Sequence, residues 1–375
     1  MTQLPLIDCH CHIERRLLAH DAAALRAMLD RCRLQHVQAM VVSVDCSAGV
    51  PEHDIDALGA IFDEHGVQLG VSLGFMPPTR SQDMANARER QAMATRTMVA
   101  LAGHPRVVAV GEVGLDYYWP VVALVREGQL EADASGDPPP PAAAWHLPDF
   151  QAFRQVQLEI FEAWIALAHS LGLPLVIHER LAHADTVALL AAGPLPSDRV
   201  MFHCFGAGPV EAQAAAARGS IVSIPSSIVV RQRYRDVAAV TPLEAMVIET
   251  DSPYHSPIVG LWKRARQAGL ADAELQQVPK KRREKVVNQA RDLHLNTALE
   301  HDLPSLVFRG VHDGVPWERR GLEHFRSSKA RYLNEPTFVR FAAREIAALQ
   351  GLDLDRVQAA LTARSRSFFG LGGAE

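Results

Sequence analysis

Eight short apolar runs, most of them separated by stretches of helical periodicity, constrain this chain more than any other feature. The runs are Leu6–His12, Val37–Val44, Val67–Phe75, Val107–Leu115, Leu173–Glu179, Arg199–Phe205, Ser220–Ser226 and Glu244–Asp251. Helical patterns fall between them, as at Ala22–Cys32, Asp54–His65 and Gln151–Leu171. Unbroken apolar stretches such as Val107-Val108-Ala109-Val110 and Leu175-Val176-Ile177 suit parallel strands covered on both faces. Eight β/α units predict an α/β fold, a (β/α)8 TIM barrel. An open doubly wound sheet is the alternative, but it would not place chemistry at the end of nearly every strand. The 375 residues, 48% of them hydrophobic, supply a core large enough for one such domain spanning residues 1–375.

Two stretches interrupt the rhythm. Residues 119–149 contain Pro138-Pro139-Pro140-Pro141 and carry a net charge of −4, which predicts an exposed acidic loop. Residues 256–331 carry 15 Lys/Arg against 9 Asp/Glu on a chain whose net charge is −5. That basic, mainly helical segment is expected to face an anionic partner or to dock a protein partner; a solvated helix face is the competing reading. Both insertions follow strands, the fourth and the eighth, so both are expected near the C-terminal face of the barrel. No apolar run approaches the roughly 18–20 residues that span a membrane, and no basic-then-apolar leader opens the chain. The five cysteines form no CxxC pair, as expected of reduced thiols in a cytoplasmic protein.

The ends of the runs are where the polar residues collect. The first ends in His10-Cys11-His12, two histidines at i and i+2 that point to one face of a strand. Asp8 shares their parity, as a third ligand or an orienting group. The fourth run leads through Gly111-Glu112-Val113-Gly114-Leu115 to Asp116; the fifth and sixth carry His178 and His203 near their ends, and the eighth ends at Asp251. Barrel active sites are built from such strand ends. Any one of these residues reads equally well as a core histidine, a salt-bridge partner or a helix cap; all six in this order point to metal. A catalytic zinc typically takes three protein ligands, so six suit two divalent ions sharing a carboxylate, with Glu112 as the bridge. His10, His12 and Asp251 would complete one site, and His178 and His203 the other. Zn²⁺, Mn²⁺ and Mg²⁺ all remain open. Such a pair lowers the pKa of a bound water, toward about 7 on zinc, and so supplies a nucleophilic hydroxide. Asp251 would take the proton.

On the motifs Ile7-Asp8-Cys9-His10-Cys11-His12, Val110-Gly111-Glu112-Val113-Gly114-Leu115-Asp116-Tyr117-Tyr118, Leu173-Pro174-Leu175-Val176-Ile177-His178-Glu179-Arg180, Phe202-His203-Cys204-Phe205-Gly206 and Glu249-Thr250-Asp251-Ser252-Pro253-Tyr254, the chain resembles the TatD family of metal-dependent deoxyribonucleases within the amidohydrolase superfamily. Asn334-Glu335-Pro336 matches the segment that opens the last barrel helix. The resemblance implies a TIM barrel, two divalent metals and hydrolysis of DNA phosphodiesters, with single-stranded DNA as substrate. It also assigns Arg180 to a substrate phosphate, a role a guanidinium fits; an ion pair with Glu179 or Asp185 is the structural alternative.

Two departures bear on the substrate. Met76 stands in Gly74-Phe75-Met76-Pro77 where the family usually has histidine, and Arg364 stands where it usually has asparagine. A thioether cannot donate to a phosphate oxygen, so a small amide, lactone or phosphoester is the alternative substrate. A subunit role in a larger nucleic-acid-processing complex is the non-catalytic one. In the second insertion Lys280, Lys281, Arg282 and Arg283 form a basic string suited to nucleic-acid phosphates. Trp262, Trp317 and Phe325 are expected to anchor that insertion or to stack bases.

Overall fold

The computed structural model describes residues 4–13, 22–79, 84–132, 139–252, 254–255 and 334–372. Eight strands join one sheet in chain order: β1 (Leu6–Cys11), β2 (Val37–Asp45), β3 (Gln68–Gly74), β4 (Val107–Asp116), β5 (Leu175–Arg180), β6 (Val200–Phe202), β7 (Ile221–Pro225) and β8 (Met246–Glu249). Ten α-helices are described: α1 (Ala22–Leu34), α2 (Glu52–Glu64), α3 (Ala87–Leu101), α4 (Tyr118–Arg126), α5 (Pro148–Leu171), α6 (His183–Ala192), α7 (Pro209–Ala217), α8 (Gln232–Val240), α9 (Val339–Gln350) and α10 (Leu354–Phe369). This is the expected (β/α)8 barrel. Two compact units are distinguished within it, one within Met1–Val42, Leu58–Leu69 and Ile224–Ser365, the other within Ser43–Ala57, Gly70–Ser223 and Arg366–Glu375.

In the first unit β1 pairs with β2 in parallel, Leu6 opposite Val37 and Asp8 opposite Met40. On its other side the Asp251 N–H donates to the His10 carbonyl at 2.9 Å, and the Thr250 N–H to Asp8 Oδ1 at 2.9 Å. Helix α9 buries Val339, Phe341, Ala342, Ala343, Ile346 and Ala347 over β1 and β8. The start of that segment is pinned by a buried bond pair: Arg31 Nε and a terminal guanidinium nitrogen donate to Glu335 Oε2 at 3.1 and 2.8 Å.

The second unit holds β4–β6 and most of β3 and β7. Strand β4 pairs in parallel with β5, Gly114 opposite His178 and Asp116 opposite Arg180. The glycines on either side of Glu112 follow from this crowding. Gly111 and Gly114 have φ of +147° and +148°, and a Cβ on Gly114 would lie 2.0 Å from the His178 carbonyl oxygen. Only glycine reaches that backbone region without strain. Helix α5 faces inward with Phe150, Gln157, Phe161, Trp164 and Ala168, spaced three, four and seven apart, and ends on Gly172 at φ +66°.

Among the described residues of 119–149, two stretches are helical rather than loop. Tyr118-Trp119-Pro120-Val121-Val122-Ala123-Leu124-Val125-Arg126 forms α4, which buries Pro120, Val121 and Leu124. A 3-10 turn covers Pro141–Ala144, and α5 begins at Pro148. The proline run masked an apolar face at i, i+1 and i+4 ahead of it, whose first turn is capped by Asp116 (Oδ1 to the Tyr118 N–H, 2.9 Å). Residues 256–331 lie outside the described residues. No described helix is long and apolar enough to cross a membrane. All five cysteines are free, four of them buried, and burial pushes the Cys46 thiol up to about 12.

Candidate metal centre

The metal-ligand candidates come from five strands: His10 and His12 at the end of β1, Glu112 within β4, His178 in β5, and His203 and Asp251 just past β6 and β8. His10 lies within β1 and is fully buried; His12 stands one residue beyond it. Their Nε2 atoms are 3.2 Å apart. Two nitrogens at about 2.0–2.1 Å from one tetrahedral ion would be separated by about 3.3 Å, so the pair is already set for a shared cation. Asp251 Oδ1 completes the group, 3.7 Å from His10 Nε2 and 3.3 Å from His12 Nε2. It lies just past β8 with φ +53°, a left-handed turn that ends the strand and aims the carboxylate. Asn334 holds this turn, its amide donating to the Thr250 and Tyr254 carbonyls, both at 2.6 Å.

Asp8 is engaged by the end of β8. Its Oδ2 accepts from the Thr250 hydroxyl at 2.5 Å and its Oδ1 from the Thr250 N–H, which ties the end of β1 to the end of β8. Burial pushes its carboxyl well above the ordinary carboxylate range, against the lowering effect of those bonds.

The second unit carries a matching set. Glu112 Oε2 lies 2.7 Å from His203 Nε2 and 3.4 Å from His178 Nδ1, and those two nitrogens are 3.2 Å apart. The other nitrogen of His178, Nε2, sits 3.2 Å from Asp116 Oδ2. A carboxylate behind a metal-binding histidine fixes its tautomer and rotates its free nitrogen toward the ion. Burial alone would lower the pKa of His178, but Asp116 and Glu112 outweigh it and raise it to about 9.

His10, His12 and Asp251 are thus brought together in one unit, and Glu112, His178 and His203 in the other. Arg180 ends β5 exposed, with its guanidinium 3.7 Å from the Tyr118 ring centroid. The ion pair with Glu179 or Asp185 does not form. Asp185 is taken by Arg154 (2.7 Å) and the Tyr117 hydroxyl (2.7 Å), and Glu179 by His183 and the Ala182 N–H. Lys280, Lys281, Arg282, Arg283, Trp262, Trp317 and Phe325 lie outside the described residues. Met76 is partly buried just past β3, and Arg364 partly buried in α10.

Sequence reasoning missed three participants. Asp116 was visible only as the end of the Glu112 motif, four residues on and on the same strand face. His255, 3.5 Å from Asp251 Oδ2, sits in a turn with no periodicity to reveal it. Asn334 matched a segment but carried no role.

Comparison with known proteins places the chain in a family. A family model described as TatD related DNase matches residues 7–370. A metal-dependent hydrolase TatD of Mycobacterium tuberculosis, itself uncharacterized, is 30% identical over 259 residues, spanning 67% of this chain and 81% of that protein. A 3'-5' ssDNA/RNA exonuclease TatD of Pantoea vagans is 28% identical over 214 residues, 56% of this chain and 71% of that one. The crystal structure of a TatD family hydrolase from Entamoeba histolytica superposes with a TM-score of 0.56 at 15% identity, covering 98% of this chain and 99% of that one; at that identity it speaks for the fold alone.

Proposed function

Since the chain belongs to the family of TatD-related DNases and is a metal-dependent hydrolase, we propose that it hydrolyses DNA phosphodiester bonds, with single-stranded DNA as its substrate. The observation that carries this reading is the pair of donor sets at the strand ends, His10/His12/Asp251 and Glu112/His178/His203, with Arg180 exposed at the end of β5 beside the second. Imidazole and carboxylate donors in each set fit a divalent ion of the Zn²⁺, Mn²⁺ or Mg²⁺ type. When bound, two such ions would lower the pKa of a coordinated water and neutralise charge on the phosphate oxygens.

The chain's own residues do the rest. Asp251 is the base that receives the proton of the attacking water, with His12 and His255 on either side of its carboxylate. Asp116 holds His178 in one orientation so that Nδ1 stays aimed at Glu112 and His203. Arg180 offers its guanidinium to a non-bridging phosphate oxygen. Lys280, Lys281, Arg282 and Arg283 add salt-dependent attraction for the strand. The free, mostly buried thiols fit a cytoplasmic setting.

End-labelled single-stranded DNA, incubated with metal-stripped protein and then with Mg²⁺, Mn²⁺ or Zn²⁺, tests this. Cleavage is expected to return with at least one ion. A Glu112→Gln variant that keeps its fold is expected to lose at least about a hundredfold. A folded protein inactive with every ion would sink the nuclease reading.

A further inference from the structure

Three exposed or strained residues stand together where β4 and β5 end, and the metal centre does not explain them. Trp119, in the first turn of α4, keeps 42% of its surface exposed, although its neighbours Pro120, Val121 and Leu124 turn inward. Leu181, directly after Arg180, is 48% exposed and holds φ at +58°, a region a bulky apolar residue seldom adopts. Arg180 lies between them. Its guanidinium is stacked on Tyr118 and 5.5 Å from the Trp119 ring centroid, and it pairs with no carboxylate among the described residues.

The group is tied to the proposed centre by a short path. The Trp119 N–H points to Asp116 Oδ1 at 3.4 Å, and the other oxygen of that carboxylate holds His178. A phosphate drawn to Arg180 would therefore carry its neighbouring base onto exposed aromatic surface, one carboxylate away from a metal ligand.

From this geometry, and resting on the nuclease reading above, we propose that Arg180, Tyr118 and Trp119 form a nucleotide grip. Arg180 binds a backbone phosphate, and Trp119 stacks the adjacent unpaired base. Tyr118 fixes the guanidinium beneath by a cation–π contact, so the charge is positioned before substrate arrives. Stacking on an aromatic face tolerates any base but requires it to be out of a duplex. The grip therefore selects single strands without selecting sequence.

The test uses the full-length protein in chelator, which separates binding from cleavage. A fluorescent single-stranded oligonucleotide is compared with the same strand made abasic at its end nucleotides. The unaltered protein is expected to prefer the intact strand about tenfold. Trp119→Ala should bind both strands alike, at the abasic affinity, while Trp119→Phe retains most of the preference because it keeps a ring. With metal restored, the alanine change should raise KM more than it lowers kcat. If the unaltered protein prefers the intact strand and Trp119→Ala keeps that preference, the grip is wrong and the nuclease reading stands. If the unaltered protein binds neither strand and cleaves neither, both fall together.

Discussion

Asp116 shows how much one carboxylate can do at a strand end. Its Oδ1 caps the first turn of α4, and its Oδ2 holds the Nε2 of His178. The two tasks separate in a variant. Asparagine keeps an oxygen for the cap but removes the negative charge behind the imidazole. Asp116→Asn is therefore expected to keep its thermal stability in chelator while metal affinity drops about 10–100-fold, read by calorimetric titration. Unchanged affinity would remove Asp116 from the centre. The same double duty explains why this residue was hard to read in advance. An acidic residue before Tyr117-Tyr118 is equally plausible as a cap, and nothing linear in the chain says that it faces His178. The six ligand candidates were easier to pick out for the opposite reason: all but Glu112 lie at or near the end of an apolar run, where a barrel puts functional side chains.

Among elements, type was easier to read than extent. All eight strands were visible as apolar runs, but β6 and β8 stop at Phe202 and Glu249 rather than at Phe205 and Asp251. The ladder ends where Cys204 and Asp251 take positive φ, a choice made by the site rather than by local propensity. Helix α4 was missed because proline and acidic composition in the rest of its segment outweighed nine apolar-rich residues. What fixes that helix in place is tertiary. Asp185 in α6 accepts from the Arg154 guanidinium of α5 at 2.7 Å and from the hydroxyl of Tyr117, the residue just before α4. Burial works to raise the Asp185 carboxyl, and those bonds outweigh it, leaving the pKa below the ordinary value. A depressed folded pKa contributes stability that is present above the unfolded value near 4 and lost as pH falls through the folded one. Asp185→Asn is expected to cost about 1 kcal/mol at neutral pH, the scale of a partly solvated pair, and to flatten the fall in stability between pH 5 and 3. Denaturant titrations across that range would show it; parallel curves for the two proteins would contradict it.

At the level of the whole molecule, the donor sets join parts of the chain that are far apart in sequence. His10 and His12 meet Asp251 in one unit, while Glu112 meets His178 and His203 in the other. Neither set exists in the unfolded chain, so metal binding and folding must be linked. An ion that binds only the folded state stabilises it by about 2.7 kcal/mol at a hundred times its Kd. For a chain of 375 residues, where each kcal/mol moves the midpoint by only about 1–1.5 °C, each ion bound at that concentration should raise the midpoint by about 3–4 °C over that in chelator. It should keep rising with the logarithm of the ion concentration. Each unit carries its own set, so the effect should divide. His12→Ala and His203→Ala are each expected to remove part of the metal-induced rise and one of two ions per chain, counted by elemental analysis. The double variant should unfold at the same temperature with and without metal. One ion per chain in the unaltered protein, lost in full from either single variant, would mean that the two sets serve a single cation and would overturn the two-ion reading while leaving the hydrolase intact.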